Sequence, residues 1–302
     1  MITGLLSDER ESSEAYEELG SVTDTDQPAT RCGQPIITPG LSDRTLAIEP
    51  KQRDTPDDSA AALEMVVFTL SQSQERIPTG CVGLDKLLHG GFRRGEMTIL
   101  YGEAATGKTT TVIQAATLAA KLGLKVIYVD SDHSFTQQRF QQIAKTGAHD
   151  ASELIMLFLP ETFAEQRALV ETLENYVTPT LGVVIVDSMS SLYRAAFSKS
   201  ASVFNLNRDL SRQLAYLGEL SARSKVACII TSQVHARLSP PLGDIEPVAR
   251  RAVFHFSRTI LKLRNTPKPH VKDFLLERFD GSDVRSSCLV ALTEGGLEDA
   301  ES

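Results

Sequence analysis

The chain has 302 residues, 41% of them hydrophobic, with a formal net charge of −8. That is enough apolar material for one sizeable α/β domain or two small ones. The four cysteines (Cys32, Cys81, Cys228, Cys288) form no CxxC pair and have no histidine cluster beside them, which speaks against a disulfide framework and against a zinc site.

The acidity is confined to the start of the chain. Residues 1–70 carry 14 acidic and 5 basic side chains, a balance of −9, whereas residues 71–302 carry 25 and 26, a balance of +1. An acidic whole therefore does not exclude a local basic patch that holds nucleic acid. The N-terminus lacks a basic region followed by an apolar core, so no secretory signal is expected. No apolar run approaches 18 residues, so the expectation is a cytoplasmic protein with no membrane span.

Residues 1–62, rich in Ser, Thr, Asp, Glu and Pro, read as an acidic leader expected to be disordered. A solvated leader and an interaction tail both fit that composition. Residues 63–76 read as a docking segment, whose run Leu63 to Leu70 is apolar enough to lie on the core as a short helix or an edge strand. From Ile77 strands alternate with helices, giving one α/β domain over 77–302. Strands are expected at Met97–Tyr101, Lys125–Asp130, Leu154–Leu159, Val183–Asp187, Val226–Ser232, Thr259–Leu263, Phe274–Arg278 and Cys288–Leu292. Helices are expected at Thr109–Leu122, Thr136–Thr146, Ala164–Tyr176 and Leu206–Ser224. Val- and Ile-rich strands without polar alternation, joined by helices, indicate a mostly parallel buried sheet flanked by helices. The short turns around the last three strands predict a C-terminal antiparallel extension.

The first strand runs into Gly102-Glu103-Ala104-Ala105-Thr106-Gly107-Lys108-Thr109, and a helix opens at once with Thr110 following. Strand, glycine-bounded loop, Lys-Thr and helix are the parts of a nucleoside triphosphate site. The two glycines let successive N–H groups point at phosphate oxygens, and the helix N-terminus adds partial positive charge. Lys108 is expected to neutralise the β/γ-phosphates and Thr109 to ligate Mg²⁺. A chance match in a chain this long is on the order of 1%.

Three further strands end in polar groups. Asp187 suits the carboxylate on the Mg²⁺ side of such a site. Asp130, followed by Ser131, Asp132 and His133, offers a carboxylate to polarise an attacking water. Equally, Ser131 or Asp132 suits a cap for the next helix. Gln233 can donate to a phosphate oxygen and accept from water, as a nucleotide sensor does. Two segments leave the same sheet edge as loops. Residues 194–207 hold Arg194, Lys199 and Phe204, while residues 235–254 hold Arg237, Arg250 and Arg251. Such arginines neutralise phosphates without reading sequence and the phenylalanines can stack on bases, although mobile loops with solvated charges look the same.

Thr79-Gly-Cys-Val-Gly-Leu-Asp85, Leu87-Leu-His-Gly-Gly91, Gly95 and the following P-loop resemble the RecA/RadA recombinase superfamily. Asp130-Ser-Asp-His-Ser-Phe135 with Arg139-Phe140 is similar to the archaeal segment Asp-Thr-Glu-Gly-x-Phe…Glu-Arg-Phe. Pro160 to Arg167, Asp187 to Arg194, Leu206 to Leu214 and Thr231-Ser-Gln-Val234 look most like the archaeal RadB group, paralogues of RadA without its N-terminal DNA-binding domain. The resemblance covers about residues 76–298. It implies a RecA-like P-loop ATPase core, ATP with Mg²⁺, single-stranded DNA, a RadA-type recombinase as partner, and work in DNA repair and recombination. It puts Arg139 in the adenine-stacking position and Asp132 where the family usually has a water-activating Glu. A carboxylate withdrawn by about 1 Å can cost on the order of 100-fold in rate, so slow hydrolysis is expected. Phe68-Thr-Leu-Ser71 loosely approximates the family's Phe-x-x-Ala subunit bridge, so self-association is an alternative to core docking there. A KaiC-like signalling ATPase and a non-hydrolysing nucleotide-gated adaptor are the other readings, the former disfavoured by Ser131-Asp132-His133 in place of paired glutamates.

Overall fold

The computed structural model describes residues 75–198, 202–236 and 245–300. The acidic leader, the Leu63–Leu70 run, Phe68, Lys199 and Arg237 lie outside the described residues. In chain order the elements begin with β1 (Arg76–Ile77), α1 (Val82–Leu87), β2 (Phe92–Arg93), β3 (Met97–Gly102), α2 (Lys108–Lys121) and β4 (Lys125–Asp130). There follow α3 (Gln137–Ala144), α4 (Ala148–Glu153), β5 (Ile155–Phe158), α5 (Phe163–Thr172), a 3₁₀ turn (Leu173–Tyr176) and β6 (Leu181–Asp187). The next are α6 (Ser191–Phe197), α7 (Val203–Ser224), β7 (Ala227–Ser232), β8 (Val234–Ala236), β9 (Ile245–Pro247) and α8 (Arg250–Phe256). The chain ends in β10 (Thr259–Asn265), β11 (Val271–Phe279), β12 (Ser282–Thr293) and β13 (Gly296–Asp299).

Every residue of β3, β6 and β7 is buried, as is all of β4 after Lys125. Strands covered on both faces need no polar alternation, and their Val and Ile side chains suit a pleated, packed surface. Among the described residues nine strands make one sheet, ordered β13-β12-β11-β10-β3-β7-β6-β4-β5. The run from β10 to β5 is parallel throughout, and β11 to β13 add antiparallel pairs. One expectation needs correcting. Thr259–Leu263 belongs to the parallel part, paired with β3 from Thr259↔Thr98 to Leu263↔Gly102. Its five residues are all buried, as in a central strand, so the antiparallel extension starts only after the turn that follows it.

Neighbouring residues of a strand feed opposite cores. Leu100 packs with Val112, Ile113, Ala116 and Ala119 of α2, while Ile99 packs with Leu210, Leu214 and Leu217 of α7. The Leu210, Leu214, Leu217, Ser221 spacing follows one face of a helix, which is why α7 lies along the sheet. None of the described helices is long and apolar enough to cross a membrane.

Ile230 of β7 is fully buried in the α7-side core. Ile230→Ala should lower the unfolding free energy by about 2–5 kcal/mol, read by urea titration. A loss below about 1 kcal/mol would contradict this packing.

Candidate nucleotide site

Strand register assembles the polar strand ends into one row. Tyr101 pairs with Ser232, so Gly102 and Gln233 follow side by side. Asp130 pairs with Asp187, and Val186 pairs with Ile230, which sets Asp187 next to Thr231. This row is the carboxyl edge of a parallel sheet, where open α/β sheets take their ligands.

The loop between β3 and α2 needs its glycines. A methyl group on Gly102 would lie 2.3 Å from the carbonyl oxygen of Leu263 on β10. Gly107 has φ +96°, and its added methyl would lie 2.8 Å from Leu292. The buried Thr106 hydroxyl donates to the Glu103 carbonyl at 2.8 Å, closing the loop. Glu103, Ala104 and Ala105 are exposed at its crest, and Glu103 Oε2 accepts from Asn265 Nδ2 at 3.0 Å. Lys108 Nζ donates to the carbonyls of Gly102 (2.9 Å) and Glu103 (2.7 Å). Burial lowers the Lys108 pKa, and the carboxylates of Asp187, Asp132 and Glu103 oppose that shift.

Asp187 is buried at the tip of β6. Its Oδ1 accepts from the Thr231 hydroxyl and its Oδ2 accepts from Tyr128 Oη at 2.9 Å, and the Thr109 hydroxyl lies close by. Burial raises its pKa, while the Thr231, Thr109 and Tyr128 hydroxyls pull it back. The chemistry of this set (a hydroxyl, a carboxylate and an ammonium at a helix N-terminus) fits a magnesium–triphosphate group. So does the Ser188 hydroxyl, buried next to Asp187 with no hydrogen-bond partner among the described residues.

Asp130 turns out to be a loop fastener. Its Oδ1 accepts from Ser134 N (3.0 Å) and its Oδ2 from Phe135 N (2.8 Å). The cap of α3 is neither Ser131 nor Asp132 but Thr136, whose hydroxyl accepts from Arg139 N at 3.2 Å. Ser131 is pinned on three sides: its N donates to Asp187 O (2.8 Å), its hydroxyl to Gln166 Oε1 (2.9 Å), and its carbonyl accepts from Ser191 Oγ (3.1 Å). That holds the exposed Asp132 at the row, with its backbone N also reaching Asp187 O. Arg139 reaches from α3 to the carbonyls of Thr293 (3.2 Å) and Glu294 (2.8 Å) and to the hydroxyl of Thr110 (3.5 Å), so its guanidinium sits beside the first turn of α2.

Two segments expected as loops are partly helical. Arg194 lies in α6, and its guanidinium donates to Gln233 Oε1 at 2.5 Å. Phe204 lies in the first turn of α7 and is 74% exposed, with Phe197 at the end of α6 47% exposed. Arg250 and Arg251 open α8 and are exposed; the Arg250 guanidinium lies 4.6 Å from the centre of the Phe254 ring. Sequence reasoning missed Tyr128 and Thr231, the groups that hold Asp187. Each is a polar residue inside an otherwise apolar strand, and that was the available signal.

A model of the Rad51 family matches residues 72–300. A protein of Methanococcoides burtonii named DNA repair and recombination protein RadB is 34% identical over 193 residues, covering 64% of this chain and 84% of the relative. One of the same name from Thermococcus kodakarensis is 34% identical over 228 residues, covering 74% of this chain and 100% of the relative. The crystal structure of the RadB recombinase aligns with TM-score 0.66 at 33% identity, over 74% of this chain and 100% of that one. The family match spans the whole sheet and the row at its edge, and the chain belongs to the Rad51 family.

Proposed function

We propose that this chain is a RadB-like DNA repair and recombination protein that binds ATP with Mg²⁺, holds single-stranded DNA and hydrolyses ATP slowly. The reading rests above all on one juxtaposition: Gly102, Asp187 and Gln233 share a strand edge, and Gln233 is bonded to Arg194 of α6, which leads towards the exposed Phe204. Its likeness to RadB proteins favours this over the signalling-ATPase and adaptor alternatives. In this reading residues 77–302 are the nucleotide-binding core, preceded by the acidic leader 1–62 and the segment 63–76. The protein works in the cytoplasm beside a RadA-type recombinase.

The residues from Gly102 to Thr110 cradle the phosphates, Lys108 neutralises the β- and γ-phosphates, and Arg139 covers the adenine. Thr109 and Asp187 would hold Mg²⁺, which would supply charge neutralisation to the phosphates. Asp132 is the candidate to draw a proton from water, and its short side chain keeps it from the best geometry. Arg250, Arg251, Lys199 and Arg237 offer charge to DNA phosphates, and Phe204 offers a face for a base.

Two experiments test the reading. Asp132→Glu should raise ATP turnover by about tenfold or more in a phosphate-release assay; unchanged or lower turnover removes Asp132 from catalysis. Reversing Arg250→Glu and Arg251→Glu together should weaken retention on single-stranded DNA at low salt by on the order of 100-fold. Unchanged retention would take α8 out of the DNA contact.

A further inference from the structure

Arg194 reads from sequence as a DNA-contacting cation, yet its guanidinium is engaged with the strand-end amide. It donates to Oε1 of Gln233, and arginine has donors only. The oxygen of that amide must therefore face Arg194, which leaves the NH₂ end for any other partner. The Gln233 backbone is tied to the same helix. Its N donates to the hydroxyl of Ser190, the N-cap of α6, at 2.9 Å, and its carbonyl accepts from Val248 N at 3.2 Å. Ser190 and Arg194 are one helical turn apart, joined by the Arg194 N to Ser190 O bond of 3.0 Å.

The same short helix touches two other parts of the site. Ser191 Oγ donates to the carbonyl of Ser131, next to Asp132, at 3.1 Å. Tyr193 Oη donates to Asn207 Oδ1 in α7 at 2.7 Å, one turn beyond Phe204. Helix α6 is a crossbar between the sensor amide, the segment bearing Asp132 and the helix bearing Phe204.

We propose that Arg194 is a positioning residue that fixes the orientation of the Gln233 amide. With its oxygen held, Gln233 donates its NH₂ to the terminal phosphate of a bound triphosphate and is not the acceptor that orients water. The contact exists only with the third phosphate, so Arg194 makes the site prefer ATP to ADP. Through α6 that preference reaches the Asp132 segment and α7. The inference rests on the nucleotide-site reading above and adds to it a residue acting through another.

Calorimetric titration of the full chain with Mg²⁺ and either a non-hydrolysable ATP analogue or ADP tests it, using the wild type, Arg194→Met and Arg194→Lys. In Arg194→Met the preference for the triphosphate should fall about tenfold. Arg194→Lys, which still offers only donors, should keep most of it. Adding Arg194→Met to Gln233→Ala should change the preference by less than about twofold, because the amide it orients is gone. An unchanged preference in Arg194→Met overturns the proposal and returns Arg194 to the role of a DNA-facing charge; an equal fall in the Gln233→Ala background overturns it too, because Arg194 then acts without the amide. If the wild type binds neither nucleotide, the nucleotide-site reading itself falls, a different and recognisable failure.

Discussion

Burying a carboxylate is unfavourable unless donors replace its water, and the whole nucleotide edge is arranged around how Asp187 meets that requirement. Its hydrogen-bond donors come from the strands on either side, Tyr128 of β4 and Thr231 of β7, with the Thr109 hydroxyl of α2 close by. Satisfying one buried group thus locks β4, β6, β7 and the P-loop helix into a fixed relation. The same arrangement sets Lys108 within reach of the fields of Asp187 and Asp132, so these charges hold one another in place. A well-paired buried network of this kind is rigid, and loss of either hydroxyl leaves the buried carboxylate short of a donor.

Beside that rigid row lies a short helix. Helix α6 spans only Ser191–Phe197; Ser191 and Arg194 bond it to Ser131 and Gln233, its cap Ser190 accepts from Gln233 N, and Tyr193 bonds it to Asn207 of α7. Tyr193 of this helix is buried in the α7-side core, with Leu192 and Ala196 packed against it. Phe197 and Phe204 stand exposed at the end of α6 and the start of α7.

Much of this was legible in the residues. The strand ends at Asp130 and Asp187 and the loop from Gly102 to Thr109 could be read because each sits at a change of period, where an apolar run stops and a polar group begins. The row itself could be inferred from the rule that parallel strands share a carboxyl edge. Other features were hidden because they depend on register or on contacts distant in sequence. That β10 lies parallel beside β3, so that Leu263 crowds Gly102, follows from a crossover connection invisible to local pattern. Arg194 looked like a solvent-facing charge because nothing local says that Gln233, 39 positions later, lies within its reach. Whether the acid that polarises water is Asp130 or Asp132 could not be read locally, because a carboxylate at a strand end carries the same signal whether it meets a ligand or two backbone N–H groups of the next turn.

The central claim is that one strand edge couples a triphosphate to single-stranded DNA, and phosphate release by the full chain with and without single-stranded DNA tests it most directly. Slow basal release that rises about tenfold or more on adding DNA, and disappears in Lys108→Ala, is the predicted result. Release indifferent to DNA, from a chain that binds ATP normally, would contradict it.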